Sequence, residues 1–435
     1  MRPTKTADCV ISRLHRLADF TAAGFPRNLR NLRNLRMAKG VGMRWVLLKA
    51  GHVFDPEDRG TTDVLVVGQE IAAVGPTLAA PTGIGDGDVL DVSGRVLLPG
   101  LIDDHLHVMG ASGLGGPTTR STDLQIERIA GVGVTTVVSP LGADSLSRSI
   151  PALLARAAAL DCEGISAYCY TGGWWNPVPT LSGNPQADVA YVDRILGVKV
   201  AVSEPMAPAY TIEELCRLAH AAWTGGRLAG KRAVLHAHAG DLPEGLMPIR
   251  EVQRRTGIPA DSLMVTHVNR NRELWHQAME FAKAGGSIDL TTMQRPETNH
   301  LHAIPAARAV REALAAGVPA TRMTLSTDTG VPYPRLDASG KVVGLYMAGP
   351  EAILGTIREL VQTGFSWGEA AVFATTHTAS ILGLSRKGRL AAGADADILV
   401  LDAAGQVDRV YARGREMVAD GKPTIRGPFG AAWGS

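Results

Sequence analysis

No run of eighteen apolar residues occurs in the 435-residue sequence, so no membrane-spanning helix is expected. Cysteine is scarce: Cys9, Cys162, Cys169 and Cys216 form no CxxC pair and no framework spacing. A disulfide scaffold is therefore excluded, and the four read as reduced thiols of a cytoplasmic protein. The 49 glycines and 25 prolines show no period, which excludes a collagen-like repeat. Apolar residues at 45% and charged residues at 20% are ordinary for a chain that buries a sizeable core. The length fits one large barrel-type unit or two to three domains.

The net charge of +2 hides an asymmetry. Residues 1–45 hold ten Lys/Arg against Asp8 and Asp19, leaving 34 basic and 40 acidic side chains for residues 46–435. The basic leader contains the triplets Asn28-Leu29-Arg30, Asn31-Leu32-Arg33 and Asn34-Leu35-Arg36, with no apolar stretch of the kind that follows a secretory start. Residues 1–42 are expected to be a disordered extension. A nucleic-acid role has no support, because Phe25 is the one aromatic near the arginines and no fold surrounds it.

From Trp45 to Val96 the texture is short β segments and turns, and it returns in ADADILVLD and QVDRVYARGREMVADGK. Between these ends, eight apolar pulses alternate with Ala/Leu/Arg-rich helical stretches such as TIEELCRLAHAAW. The pulses end near residues 107, 140, 172, 203, 240, 269, 293 and 328, the rhythm of a TIM-like (β/α)8 barrel. The fold class is α/β: the barrel over 97–385, and a small β-sandwich domain built from 43–96 and 386–428.

Polar residues interrupt these pulses at their carboxyl ends, where barrel enzymes build their sites. His105 and His107 close the first pulse, and a strand period of two puts both imidazoles on one face. Lys199 interrupts the fourth, His238 the fifth and His267 the sixth, while Asp328 ends the eighth. Imidazoles and a carboxylate converging there are metal-ligand chemistry. His236 shares the inward face without evident need and reads as a core residue. His300 and His302 read as an exposed loop pair. The Gly-rich GASGLGG stretch lacks the Lys-Ser/Thr of a phosphate loop.

The DHLH motif after a Pro-Gly turn, the isolated strand-end lysine, two later single histidines and a final aspartate resemble the amidohydrolase superfamily. PGLIDDHLH, GPTTR, GVTTVV, GISAY, LGVKVAVS, THVNRN and GGSIDLTT are similar to the isoaspartyl dipeptidases within it, from about Lys49 to Pro428. The resemblance implies two zinc ions per chain: His105, His107 and Asp328 on one, His238 and His267 on the other. Lys199 would be an N6-carboxylysine bridging them, because a carbamate offers two oxygens where an ammonium offers none. A bridging hydroxide would attack the amide carbon, with the catalytic Asp328 as general acid and base. A homo-oligomer is implied as well.

At the substrate positions the sequence departs from that pattern. Leu114 stands where the family has a glutamate for the α-amino group, Ala143 for a threonine and Trp174 for a tyrosine near the scissile carbonyl. Met206 replaces a carboxylate-gripping arginine and Pro332 a serine, while Arg270 is kept. Trp175 beside Trp174 reads equally well as packing. These exchanges remove partners for a zwitterion, and unpaired charge in an apolar pocket is costly. The expected substrate is a small amide more hydrophobic than an isoaspartyl dipeptide. The alternatives are a genuine isoaspartyl dipeptidase with rearranged recognition residues, and a non-catalytic metal-binding relative. No nucleic-acid or membrane partner is expected.

Overall fold

A computed structural model describes residues 44–428, apart from 112–113, 297–301, 338, 340 and 348. The leader, Cys9 and His300 lie outside the described residues. The first strands are β1 (Trp45–Phe54), β2 (Asp58–Val67), β3 (Glu70–Gly75), β4 (Gly87–Asp91) and β5 (Val96–Pro99).

The run LLPGLIDDHLH is divided by its Pro99-Gly100 step between two sheets. Leu97 and Leu98 stay in β5, and β6 (Leu101–Asp103) opens the barrel. A Cβ at Gly100 would lie 2.3 Å from Thr135 Oγ1, so the crossing needs glycine. The barrel continues with β7 (Val134–Ser139), β8 (Ser166–Gly172), β9 (Ile195–Val202) and β10 (Val234–Ala239). It ends with β11 (Leu263–Thr266), β12 (Ser287–Thr291) and β13 (Met323–Ser326). All eight are parallel, each paired with the next. Their residues are buried except half-buried Tyr168, which explains why they read as continuous apolar runs: both faces are covered. The outer cover comes from amphipathic helices. In Ile212–Leu228, Leu215, Ala219 and Ala222 face inward, and a capping box of Thr211 and Glu214 starts the helix.

Between β13 and β6 the closure is made just past the strand ends. The Asp328 N–H donates to the His105 carbonyl (2.9 Å), the His107 N–H to the Thr329 carbonyl (2.8 Å), and Thr327 Oγ1 to Asp103 Oδ2 (2.5 Å). This stitching sets the loop carrying Asp328 against the loop carrying His105 and His107. A hairpin, β14 (Pro332–Leu336) with β15 (Val342–Met347), follows it.

The last strands are β16 (Ile398–Leu401), β17 (Val407–Ala412), β18 (Arg415–Ala419) and β19 (Lys422–Pro423). They join the first five in one nine-stranded sheet, through antiparallel pairing of β16 with β5. Alternation along these two strands serves two cores. Leu97, Ile398 and Val400 pack with Val46, Leu48, Val64 and Ile71, whereas Leu98, Leu399 and Leu401 join the barrel core. Lys387 adds a polar tie: its buried ammonium reaches Asp397 (2.7 Å), Asp395 (2.8 Å) and Ser166 of β8 (2.7 Å). No helix among the described residues is long and apolar enough to cross a membrane.

Candidate metal centre

The six expected donors gather at the carboxyl end of the barrel, by three local routes. Lys199 and His238 sit within β9 and β10. His105 and His107 lie just beyond β6, so the loop that closes the barrel, not strand periodicity, directs them. His267 directly follows β11 and Asp328 stands two residues past β13, both in left-handed conformations, φ 65° and 57°. A non-glycine residue held there costs about 1–2 kcal/mol, and such strain concentrates at functional positions. A Cβ at Gly172 would lie 2.2 Å from the Lys199 carbonyl, so glycine is what lets β8 close on β9 beside the lysine.

Nitrogen atoms of His105 and His267 and an oxygen of Asp328 lie within 4.8 Å of one another. This group draws from both expected ligand sets. Asp328 Oδ1 is 3.5 Å from His105 Nε2 and 3.2 Å from His107 Nε2, and the Tyr333 hydroxyl donates to its Oδ2 (3.1 Å). His238 and His267 meet edge to face at 4.6 Å. His236 is buried as expected, stacks on Tyr170 and shares a 2.8 Å hydrogen bond with His105 Nδ1, fixing that ring.

Burial holds the imidazoles of His105, His236 and His267 well below their usual range and takes His238 down to about 4, against the pull of Glu204. Neutral imidazole is the ligating form. Burial also brings Lys199 down to about 7, opposed by Asp328 and Asp289. Its Nζ and His107 Nδ1 are buried with no hydrogen-bond partner among the described residues. Below them Asp289 accepts from Thr266, Thr324 and Ser326. A buried amine without a partner, neutral imidazoles and a carboxylate form a donor set that fits borderline divalent cations such as zinc.

A family model for the amidohydrolase family matches residues 189–417. The β-aspartyl dipeptidase of Fervidobacterium islandicum AW-1, solved with the dipeptide β-Asp-Leu, is 33% identical with a TM-score of 0.79, over 87% of this chain and 98% of that one. The chain belongs to the amidohydrolase family. The allantoinase of Deinococcus radiodurans is 24% identical over 406 residues, 82% of this chain and 86% of that protein. A D-hydantoinase from Thermus sp. shares the fold at 16% identity and a TM-score of 0.63, covering 87% and 96% of the two chains.

Amidohydrolases are hydrolytic enzymes, and five of the six expected donors, all but Lys199, line a cavity of about 430 Å³. Leu114, Ala143, Trp174, Met206 and Arg270, the expected substrate positions, line it too, with Leu114 and Met206 about half exposed at the mouth. Pro332 does not; its neighbours Val331 and Tyr333 do. Trp175 turns away and donates to the Ala143 carbonyl (2.9 Å), a packing role. His302 lines an adjoining cavity of about 540 Å³ that shares Asp241 and Arg270.

Among the lining residues that were not foreseen, four carry polar side chains: Glu204, Asp241, Gln294 and Tyr333. Glu204 Oε2 lies 3.1 Å from His238 Nε2 and 3.6 Å from Arg270 Nη1. Burial works to raise its carboxyl, but the hydrogen bond from His238 and the charge of Arg270 outweigh it and lower it. Arg270 also pairs with Asp241 (3.0 Å) and donates to the Ala239 carbonyl (2.7 Å). A sequence signal for Glu204 exists, since it is an acidic residue two past the end of β9. Tyr333 and Gln294 follow the eighth and seventh strands without any motif.

Proposed function

We propose that the chain is a binuclear zinc amidohydrolase that cleaves a C–N amide bond in a substrate more hydrophobic than an isoaspartyl dipeptide. His105, His107 and Asp328 would hold one ion, His238 and His267 the other, and Lys199 would bridge them as a carbamate. Bound there, divalent cations polarise a carbonyl oxygen and lower the pKa of water. Asp328 is the proton carrier: its carboxylate accepts a proton from the attacking water and returns it to the leaving amine nitrogen. The Tyr333 hydroxyl steadies Oδ2 and leaves Oδ1 turned to His105 and His107. Trp174, Leu114 and Met206 exclude water around the acyl group.

The observation that carries the substrate reading is the state of Arg270. This guanidinium is already engaged by Glu204, Asp241 and a carbonyl, while apolar Met206 and Leu114 occupy the positions that would grip a zwitterion. A second carboxylate or an ammonium entering the cavity meets desolvation without compensation, about 1–3 kcal/mol for each polar group left unpaired. The rival reading is true isoaspartyl dipeptide hydrolysis, favoured by 33% identity to a β-aspartyl dipeptidase along its whole length. Assaying the zinc-loaded protein on β-Asp-Leu beside N-acyl amides of leucine and phenylalanine separates them. Higher kcat/KM on the N-acyl amides supports the proposal, and higher kcat/KM on β-Asp-Leu replaces it with the rival. Loss of turnover on chelation, with two zinc per chain restoring it, is expected. A protein that binds no metal and turns over nothing would be the non-catalytic relative.

A further inference from the structure

Gln294 lies three residues beyond the end of the seventh barrel strand, its N–H donating to the Thr291 carbonyl (3.2 Å). Its side chain is 3% exposed and lines the cavity with His105, His267, Arg270 and Asp328. Its Oε1 is buried and accepts no hydrogen bond from any described residue. A buried acceptor left unmet destabilises the folded chain, so each such group calls for an explanation, and a ligand is one. Apart from the expected metal donors, the other polar side chains of the wall are committed. Arg270 is held by Glu204 and Asp241, Glu204 by His238 and Arg270, and the Tyr333 hydroxyl by Asp328.

A carboxamide is uncharged and offers an acceptor beside N–H donors. It cannot offset the desolvation of an ammonium or a carboxylate, but it matches an N–H next to a carbonyl. We infer that Gln294 is a specificity-determining residue that binds the N–H of a second amide in the substrate, flanking the scissile bond. The substrate class is thereby a neutral, apolar molecule with two adjacent amide groups. A wall that hydrogen-bonds a substrate N–H rejects an analogue lacking it more strongly than an apolar wall discriminates by shape. The inference rests on the proposed amide hydrolysis for its kinetic arm only.

The test is a pair of probes differing in one atom: N-acetyl-leucine p-nitroanilide, and its analogue with an ester oxygen in place of the acetyl N–H. Zinc-loaded wild-type enzyme should prefer the N–H compound by about 10-fold in kcat/KM, mostly through KM. Gln294→Leu and Gln294→Met should narrow that preference to about 2-fold with zinc content and melting temperature kept. Calorimetric binding of N-acetyl-leucinamide and its ester analogue reads the same difference without turnover. An equal preference in the variants, indifference of the wild type, or no binding of either probe overturns the inference. A binding difference without hydrolysis of either anilide supports Gln294 and counts against the hydrolytic reading instead.

Discussion

Replacing Lys199 with methionine should stabilise the metal-free enzyme and cripple the metal-loaded one. The lysine is 1% exposed, its Nζ has no hydrogen-bond partner among the described residues, and burial brings it from 10.5 to about 7. Lost protonation over that span corresponds to ~5 kcal/mol of destabilisation at pH 7, at about 1.4 kcal/mol per pKa unit. The sign follows from the folded value lying below the unfolded one. From pH 7 to about 10.5 the unfolded chain holds the proton that the folded chain has released, so stability climbs with pH there and is flat below. Methionine is of similar length, unbranched and apolar, but the neighbouring groups are imidazoles, so about half the cost should be recovered, ~2–3 kcal/mol. The assay is urea unfolding with chelator at pH 7 and pH 9, wild type beside Lys199→Met. The variant should be the more stable at pH 7, and its advantage should shrink by ~2–3 kcal/mol at pH 9, the histidine contributions cancelling in the comparison. With zinc the order should reverse, because the variant would lack the proposed bridging group and hold less metal. A metal-free variant less stable than wild type at pH 7, or an advantage independent of pH, would refute the reasoning.

Two further perturbations probe other contacts. Tyr333→Phe deletes the hydroxyl that donates to Asp328 Oδ2 and should lower kcat by about 10-fold at little change in KM, as expected for one hydrogen bond to a charged group; steady-state kinetics showing an unchanged kcat would remove Tyr333 from the mechanism. Lys387→Met leaves the Asp397 carboxylate without its cation, and Asp395 with Arg386 alone, at the junction of sheet and barrel and should cost about 3 kcal/mol. Burial works to lower the Lys387 ammonium, but the two carboxylates outweigh it and raise it. Its stabilisation is therefore full at neutral pH and fades above pH 10.5, so on the alkaline side the deficit measured by thermal melting should narrow in strong alkali alone; a deficit already absent at pH 8 would contradict the pairing.

The parts of the site legible in the sequence share one property: a barrel strand delivers each side chain to one end of the fold. Lys199 and His238 are polar residues inside otherwise apolar strands, so residue type and strand order sufficed to bring them together. His105 and His107 also lie together, although for a different physical reason, since they stand beyond β6 and owe their direction to the hydrogen bonds joining residues 105–107 to 328–329. Likewise, the run ILVL of β16 shows apolar residues at every position, and only the pairing with β5 reveals which two serve the barrel and which two the outer core.

What escaped depends on choices between partners. Arg270 reads as a carboxylate grip when considered alone. Its competitors Glu204 and Asp241 come from other loops, and no spacing along the chain announces that they reach it first. Pro332 was placed at the cavity by alignment with a family pattern, but it opens β14, and the side chain next to it, Tyr333, is the one turned to Asp328. The proposed metal positions and the proposed substrate positions thus differ in kind. Donors on strands and strand ends inherit their places from a barrel that many sequences build, so residue type alone exposes them. On the proposed reading, recognition groups sit on the loops after β9 and β12 and beside the start of β14, where a shift of one residue exchanges a proline for a tyrosine at the same wall. Substrate selectivity in this enzyme should therefore respond to changes in the loops after β9 and β12, at Glu204 and Gln294, far more than to changes along the strands beneath them.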